Sequence, residues 1–205
     1  MCKTGQSRLR NSLALALFVC LSVACRSELT TSDERSQRTT SILSPVVKQV
    51  VEAAIEQTNH TFYYDPSYVQ IDYPGGDVPL EKGVCTDVVI RAFRKVGVDL
   101  QKEVHEDMAR NFAAYPKKWG LARPDANIDH RRVPNLMIYF QRKGKALAVS
   151  SNPKDYQPGD VVTWDLSNNL PHTGIVTNIL SEKTGNYKVA HNIGSGVKVE
   201  DVLFA

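Results

Sequence analysis

The chain of 205 residues carries 25 Lys and Arg against 22 Asp and Glu, with 42% hydrophobic and 23% charged residues. That is globular composition, and it excludes a chain that is disordered throughout, collagen-like or fibrous. The formal charge of +3 equals the three cations Lys3, Arg8 and Arg10, so the sequence beyond residue 24 is neutral, which argues against nucleic acid as the partner.

Taken in chain order, the first element is a leader. Basic residues precede an uncharged stretch, Asn11 to Cys25, whose 15 residues fall short of the ~20 a membrane-spanning helix needs. Residues 1–24 therefore read as an export signal peptide, placing the protein in the periplasm or at the cell surface. Leu21-Ser22-Val23-Ala24-Cys25 resembles a bacterial lipobox, in which Cys25 is lipidated and the membrane becomes a partner through that anchor. Ser22 departs from the usual Leu, and ordinary cleavage after Ala24 is the competing reading. Of the four cysteines, export removes Cys2 and Cys20, and acylation of Cys25 leaves Cys85 as a lone thiol; without acylation, a Cys25–Cys85 disulfide is open. Residues 25–43 are Ser/Thr-rich without apolar period and read as a flexible tether, and 44–205 as one domain.

Ser44-Pro45 is an N-cap with a first-turn proline, followed by the apolar stripe Val46, Val47, Val50, Val51, Ala54, Ile55 of a first helix. Asn59 to Val84 alternates aromatics with turn formers and reads as an ordered loop. A second helix is predicted from Cys85 to Val96, with Arg91, Arg94 and Lys95 outward and Gly97 closing it. A third follows Asp99 until Pro116, with His105 solvated among Glu103, Glu106 and Asp107, and a fourth covers Pro134 to Arg142. The period then changes to short β-rich runs at 160–164, 173–180, 187–191 and 197–199, separated by Pro-Gly, Gly-Asn and Gly-Ser-Gly turns. Phe204-Ala205 ends the sequence in a strand-like run. Helices first and an antiparallel sheet second is an α+β order.

The chemistry gathers on Cys85, His172 and His191. A thiol at a helix N-terminus faces unpaired N–H groups and the positive end of the dipole, which favour the thiolate and can hold an oxyanion. His172 opens one predicted strand and His191 ends the next, so a hairpin sets the two rings side by side at one end of the sheet. One ring can then serve as base while the other orients it. Three quieter readings stand beside this one: an inert core thiol, ordinary strand-end histidines, and a zinc site made by the same three residues. Asp129-His130-Arg131-Arg132 suits either a substrate carboxylate or a structural salt bridge. Asp160 reads as a turn residue, and Trp119 and Trp164 as packing.

Pro-Gly-Gly-Asp-Val-Pro at 74–79, Gly-Val-Cys-Thr-Asp-Val-Val at 83–89, Asn-Ile-Asp-His-Arg-Arg at 127–132 and His-Asn-Ile-Gly at 191–194 resemble the bacterial family called domain of unknown function 1287. Tyr73, Gly75-Gly76, Cys85, Pro158-Gly159-Asp160, His172-Thr173-Gly174-Ile175 and His191 also resemble, as spaced motifs, the NlpC-type cell-wall endopeptidases of the papain-like clan. That second resemblance implies a papain-like α+β fold, with N-terminal helices bearing the nucleophile packed on an antiparallel sheet. It implies Cys85 as nucleophile, His172 as base and His191 as orienting residue, with Tyr73 near the substrate; Arg131 of the charged segment and Asp87 beside the thiol are further candidates for substrate contact, and no metal or cofactor is expected. The expected activity is cysteine hydrolysis of a cell-wall peptide or other amide in the envelope; a non-catalytic binding protein and an acyl or amide transferase are the alternatives. Val84 and Thr86-Asp87 depart from the peptidase pattern around its cysteine.

Overall fold

The computed structural model describes residues 7–9, 43–167 and 169–204. Helix α1 (Pro45–Glu56) starts where the proline predicts, with the Ser44 hydroxyl accepting from the Val47 N–H at 3.3 Å. Helix α2 spans Cys85–Arg94, α3 Leu100–Asn111 and α4 Val133–Arg142. The Asp99 carboxylate caps α3 by accepting from Gln101 N–H at 3.2 Å. These helices share one apolar cluster, including Val50, Ala54, Val89, Phe93, Leu100, Val104, Leu136 and Phe140.

A six-stranded antiparallel sheet lies against them, built from β1 (Ser7–Leu9), β4 (Ala146–Leu147), β5 (Val161–Asp165), β6 (Pro171–Leu180), β7 (Tyr187–Asn192) and β8 (Val197–Glu200) in the order β4-β1-β5-β6-β7-β8. Pleating sorts the strands' side chains between two faces. Val161, Ile175 and Ala190 join the helical core, while Val162, Trp164, Val176 and Val189 form a second cluster with Tyr156 and Leu203. The architecture is therefore mixed helix and strand, α+β.

Ser7–Leu9 forms a strand between β4 and β5, and the other residues read as the leader, with Cys25 and the tether up to Ile42, lie outside the described residues. Other expectations need correction. The run expected to be a strand at the C-terminus is a turn whose Leu203 is buried. Arg91 points inward rather than outward. Its guanidinium holds Asp77 through three bonds of 3.0–3.2 Å and also donates to the carbonyls of Val78, Pro79 and Lys82. Amphipathic period places cations in water, but a loop folded back on the helix supplies carbonyls that need a donor, and Arg91 satisfies them. That loop is not wholly irregular either, since β2 (Tyr63–Tyr64) pairs in parallel with β3 (Lys82–Gly83) and closes its neck just before Cys85.

Candidate active site

Cys85 is the first residue of α2. Its N-cap, Val84, has no side-chain acceptor, so the helix start is held from the other side of the turn: Asp87 accepts from Val84 N–H at 2.7 Å. Asp87 in turn receives Arg131 through two bonds of 3.0 Å, and both side chains are buried. Arg131 also donates to the Ser67 and Asp65 carbonyls. Two of the three residues expected near the substrate, Asp87 and Arg131, are thus occupied in bracing the start of α2. On the far side, Asn192 donates to the carbonyls of Gly83 (3.0 Å) and Tyr63 (3.3 Å), tying the end of β7 to the same turn. Gly83 is needed there, because a Cβ would come within 2.9 Å of an Asp87 oxygen.

The thiol is 5% exposed, and the backbone N–H groups of Thr173, Thr86 and Cys85 itself are directed at its sulfur. These favour the thiolate, as the sequence suggests, but burial outweighs them and pushes the thiol pKa up to about 12, with Asp87 adding in the same sense. The expected depression is therefore reversed. Stripping water from a small anion costs more than a few oriented amides return, and the resting group is a neutral thiol.

His172 and His191 meet as the hairpin requires, with His172 Nε2 and His191 Nδ1 3.0 Å apart. His191 Nε2 lies 3.1 Å from a Glu200 carboxylate oxygen on β8. A carboxylate can only accept, so His191 carries its proton on Nε2 and presents a bare Nδ1. His172 must then donate from Nε2, which leaves the lone pair on its Nδ1. The relay Glu200–His191–His172 thus fixes both tautomers and ends in a lone pair on His172 Nδ1. Trp164, paired across β5 and β6 with His172, sets its ring edge-on at 4.8 Å and at 6.0 Å to His191, so it walls the imidazoles as well as packing. Burial, then the neighbouring His191, lowers the His172 pKa to about 4; burial also lowers that of His191 against the pull of Glu200. Gly174 makes room for the pair, since a Cβ there would lie 3.0 Å from the His191 Cβ.

The thiol touches β6 at the Thr173 N–H, one residue beyond His172, while the imidazole stands on the pleat face of Trp164 and Val176. The hairpin thus brings His172 and His191 together as expected, but the structure does not bring the His172 ring onto the Cys85 sulfur: the two lie on opposite faces of β6, and no hydrogen bond joins them. Both nitrogens of His191 are engaged, which leaves that ring none for a zinc ion. Among the described residues no cluster of three or more His, Cys, Asp or Glu is arranged to hold a metal.

Cys85 lies in a cleft of about 230 Å³ whose walls include Tyr64, Trp119, Arg131, Arg132 and Pro171. Tyr73, expected here, is not on that wall; its ring packs edge-on against His105 at 5.1 Å. The tyrosine beside the thiol is Tyr64, whose pKa is raised by burial and then by Cys85. His105 is not solvated as expected but bonds buried Asp129 at 3.0 Å. A larger hollow of about 670 Å³ beside α1 and α2 has no cysteine or serine on its wall, and Arg91, Arg94 and His60 there are paired with Asp77, Asp77 and Glu56.

The family model described as "Domain of unknown function (DUF1287)" matches residues 51–205. The chain belongs to that family. It is 58% identical over 155 residues to "Uncharacterized protein YijF" of Escherichia coli (strain K12), covering 76% of this chain and 75% of the relative. No solved structure matches. Cys85, His172, His191 and Glu200 all fall inside the matched segment.

Proposed function

We propose that this protein is a thiol hydrolase of the bacterial cell envelope with a papain-like catalytic arrangement, acting on an amide bond of a cell-wall peptide. The observation that carries the reading is the relay Glu200–His191–His172, which fixes both tautomers and leaves a lone pair on His172 Nδ1, on the residue that precedes the strand position whose N–H touches the Cys85 sulfur.

The reaction follows from the neutral resting pair. Burial pushes the thiol pKa up to about 12 and the His172 pKa down to about 4, so both groups rest neutral rather than as a thiolate–imidazolium pair. Proton transfer from sulfur to His172 Nδ1 as the Cys85 sulfur attacks the substrate carbonyl requires the ring to turn round the start of β6, away from Trp164 and onto the thiol, once substrate fills the cleft. The amides at the start of α2 stabilise the oxyanion as they do the sulfur. His172 hands its proton to the leaving amine, and water, deprotonated by the same nitrogen, releases the acyl group from Cys85. The leader and the lipobox-like Cys25 support an envelope location and a membrane anchor, and an amine in place of water would give amide transfer.

The thiol pKa near 12 favours a second reading, a non-catalytic envelope binding protein that keeps the arrangement. Iodoacetamide separates the two. The hydrolase reading predicts Cys85 alkylation near pH 7 that drops at least tenfold in His172→Gln. The binding reading predicts alkylation that rises only above pH 9 and ignores His172.

A further inference from the structure

The cleft beside Cys85 has two arginines on its wall and no acidic side chain. They are adjacent in sequence and opposite in state. Arg131 is neutralised by its two bonds to Asp87. Arg132 has no hydrogen-bond or ion-pair partner among the described residues; its guanidinium lies 4.1 Å above the Trp119 ring. Burial is the largest influence on it and disfavours its charge, while Asp129 and then Asp125 favour the charge from longer range. Stacking on an indole holds a guanidinium in place without consuming its five N–H donors. A half-desolvated cation with its donors unspent, on the wall of the cleft that holds the nucleophile, is built to receive an anion.

We propose that Arg132 is the cleft's carboxylate receptor, and that the substrate is an amide with a free carboxylate a few bonds from the scissile carbonyl. The inference rests on the thiol-hydrolase reading for the word substrate, but the receptor itself does not need catalysis. A monoanion fits better than a phosphate. Only one free guanidinium is present, two carboxylates lie behind it, and phosphate sites gather several donors and cations.

The test uses Cys85 as a reporter in the full chain. Wild type, Arg132→Gln and Arg132→Lys are alkylated with chloroacetylglycine and with its neutral amide, each rate divided by that of N-acetylcysteine under the same conditions. The expected result is a preference for the anionic probe of at least fivefold in wild type, lost in Arg132→Gln and partly kept in Arg132→Lys. Inorganic phosphate should protect Cys85 no better than acetate. Equal normalised rates in wild type, a preference that survives Arg132→Gln, or stronger protection by phosphate would overturn the proposal. Should the thiol alkylate with neither probe, the hydrolase reading fails, and the receptor is judged in Cys85→Ala by the Trp119 indole N–H resonance. N-acetylglycine should shift that resonance saturably, at concentrations at least fivefold below N-acetylglycinamide, and only while Arg132 is present; no difference between the two probes would overturn it.

Discussion

Two histidine–carboxylate clusters can be set side by side. In one, Glu200, His191 and His172 form a chain of bonds of 3.1 and 3.0 Å. In the other, His105 bonds buried Asp129 at 3.0 Å and Tyr73 packs on His105. Each contains an imidazole joined to a carboxylate, the couple usually taken as a catalytic signature. What differs is where the chain of bonds leads. The second ends on itself, with Asp129 also accepting from Asp125 N–H at 2.7 Å, and so pins the turn before α4. The first ends at a nitrogen of His172 that no group among the described residues occupies, one residue before the strand position whose N–H touches the Cys85 sulfur. A His–carboxylate couple acquires chemistry from its terminus, not from its own geometry.

That contrast can be broken most sharply by deletion at each terminus. Cys85→Ala should abolish hydrolysis of peptidoglycan-derived peptides while moving Tm by little, since one sulfur is lost from a site already lined by backbone. His172→Gln should cost roughly 10²–10⁴-fold in kcat/KM, whereas His105→Gln should lower Tm and leave kcat/KM within a few-fold. Equal losses of rate in both would erase the distinction.

Stability gives the next largest effect. Asp87→Ala strands a buried guanidinium and uncaps α2, and should destabilise by about 3–5 kcal/mol in urea unfolding. Replacing Arg132, the unpaired neighbour of Arg131, should cost less than about 1 kcal/mol.

Acid sharpens the comparison further. Burial holds His172 near 4 and His130 near 3, against an ordinary value of 6.5. A buried imidazole kept neutral contributes stability that is complete above 6.5 and is lost as pH falls toward 4, because the unfolded chain takes up the proton first. Each should therefore contribute up to about 3 kcal/mol of acid sensitivity over that range. Asp129, raised by burial, works in the opposite sense at lower pH. Urea midpoints at pH 7.5 and 5 should differ in wild type, and the difference should shrink by about half in His130→Gln, with His172 supplying the remainder. At the alkaline end the neutral thiol loses stability for the fold above about pH 9, and Cys85→Ala should flatten that slope.

The smallest effect concerns Glu200, which is 41% exposed at its side chain. Glu200→Gln weakens the bias on the tautomers without removing a ring, and a loss of about tenfold in kcat is expected.

Much of this was legible in the sequence where the cause is local. Ser44 and Asp99 announce their helices, Cys85 opens α2, and the hairpin that joins His172 to His191 follows from strand length and period. Glu200 was within reach, because β7–β8 pairing sets Lys198 opposite His191 and puts Glu200 on the same face two residues on. What period cannot reveal is how a loop folds back. Residues 65–82 choose Tyr64 over Tyr73 for the cleft and draw Arg91 inward. Arg131 and Arg132 are indistinguishable as sequence, and only the position of Asp87 and Trp119 makes one a strut and the other a free cation. The thiol's charge state was misjudged for a related reason: the helix terminus is local, whereas the burial that overrides it is made by β6 and the loop.

The most direct test is the intact mass of the protein after brief incubation with purified peptidoglycan fragments, together with the amines released. The account predicts new amine products from wild type, a transient acyl adduct that maps to Cys85, and neither from Cys85→Ala. Equal product from Cys85→Ala, or a wild-type protein that yields neither adduct nor product on any fragment it binds, would contradict it.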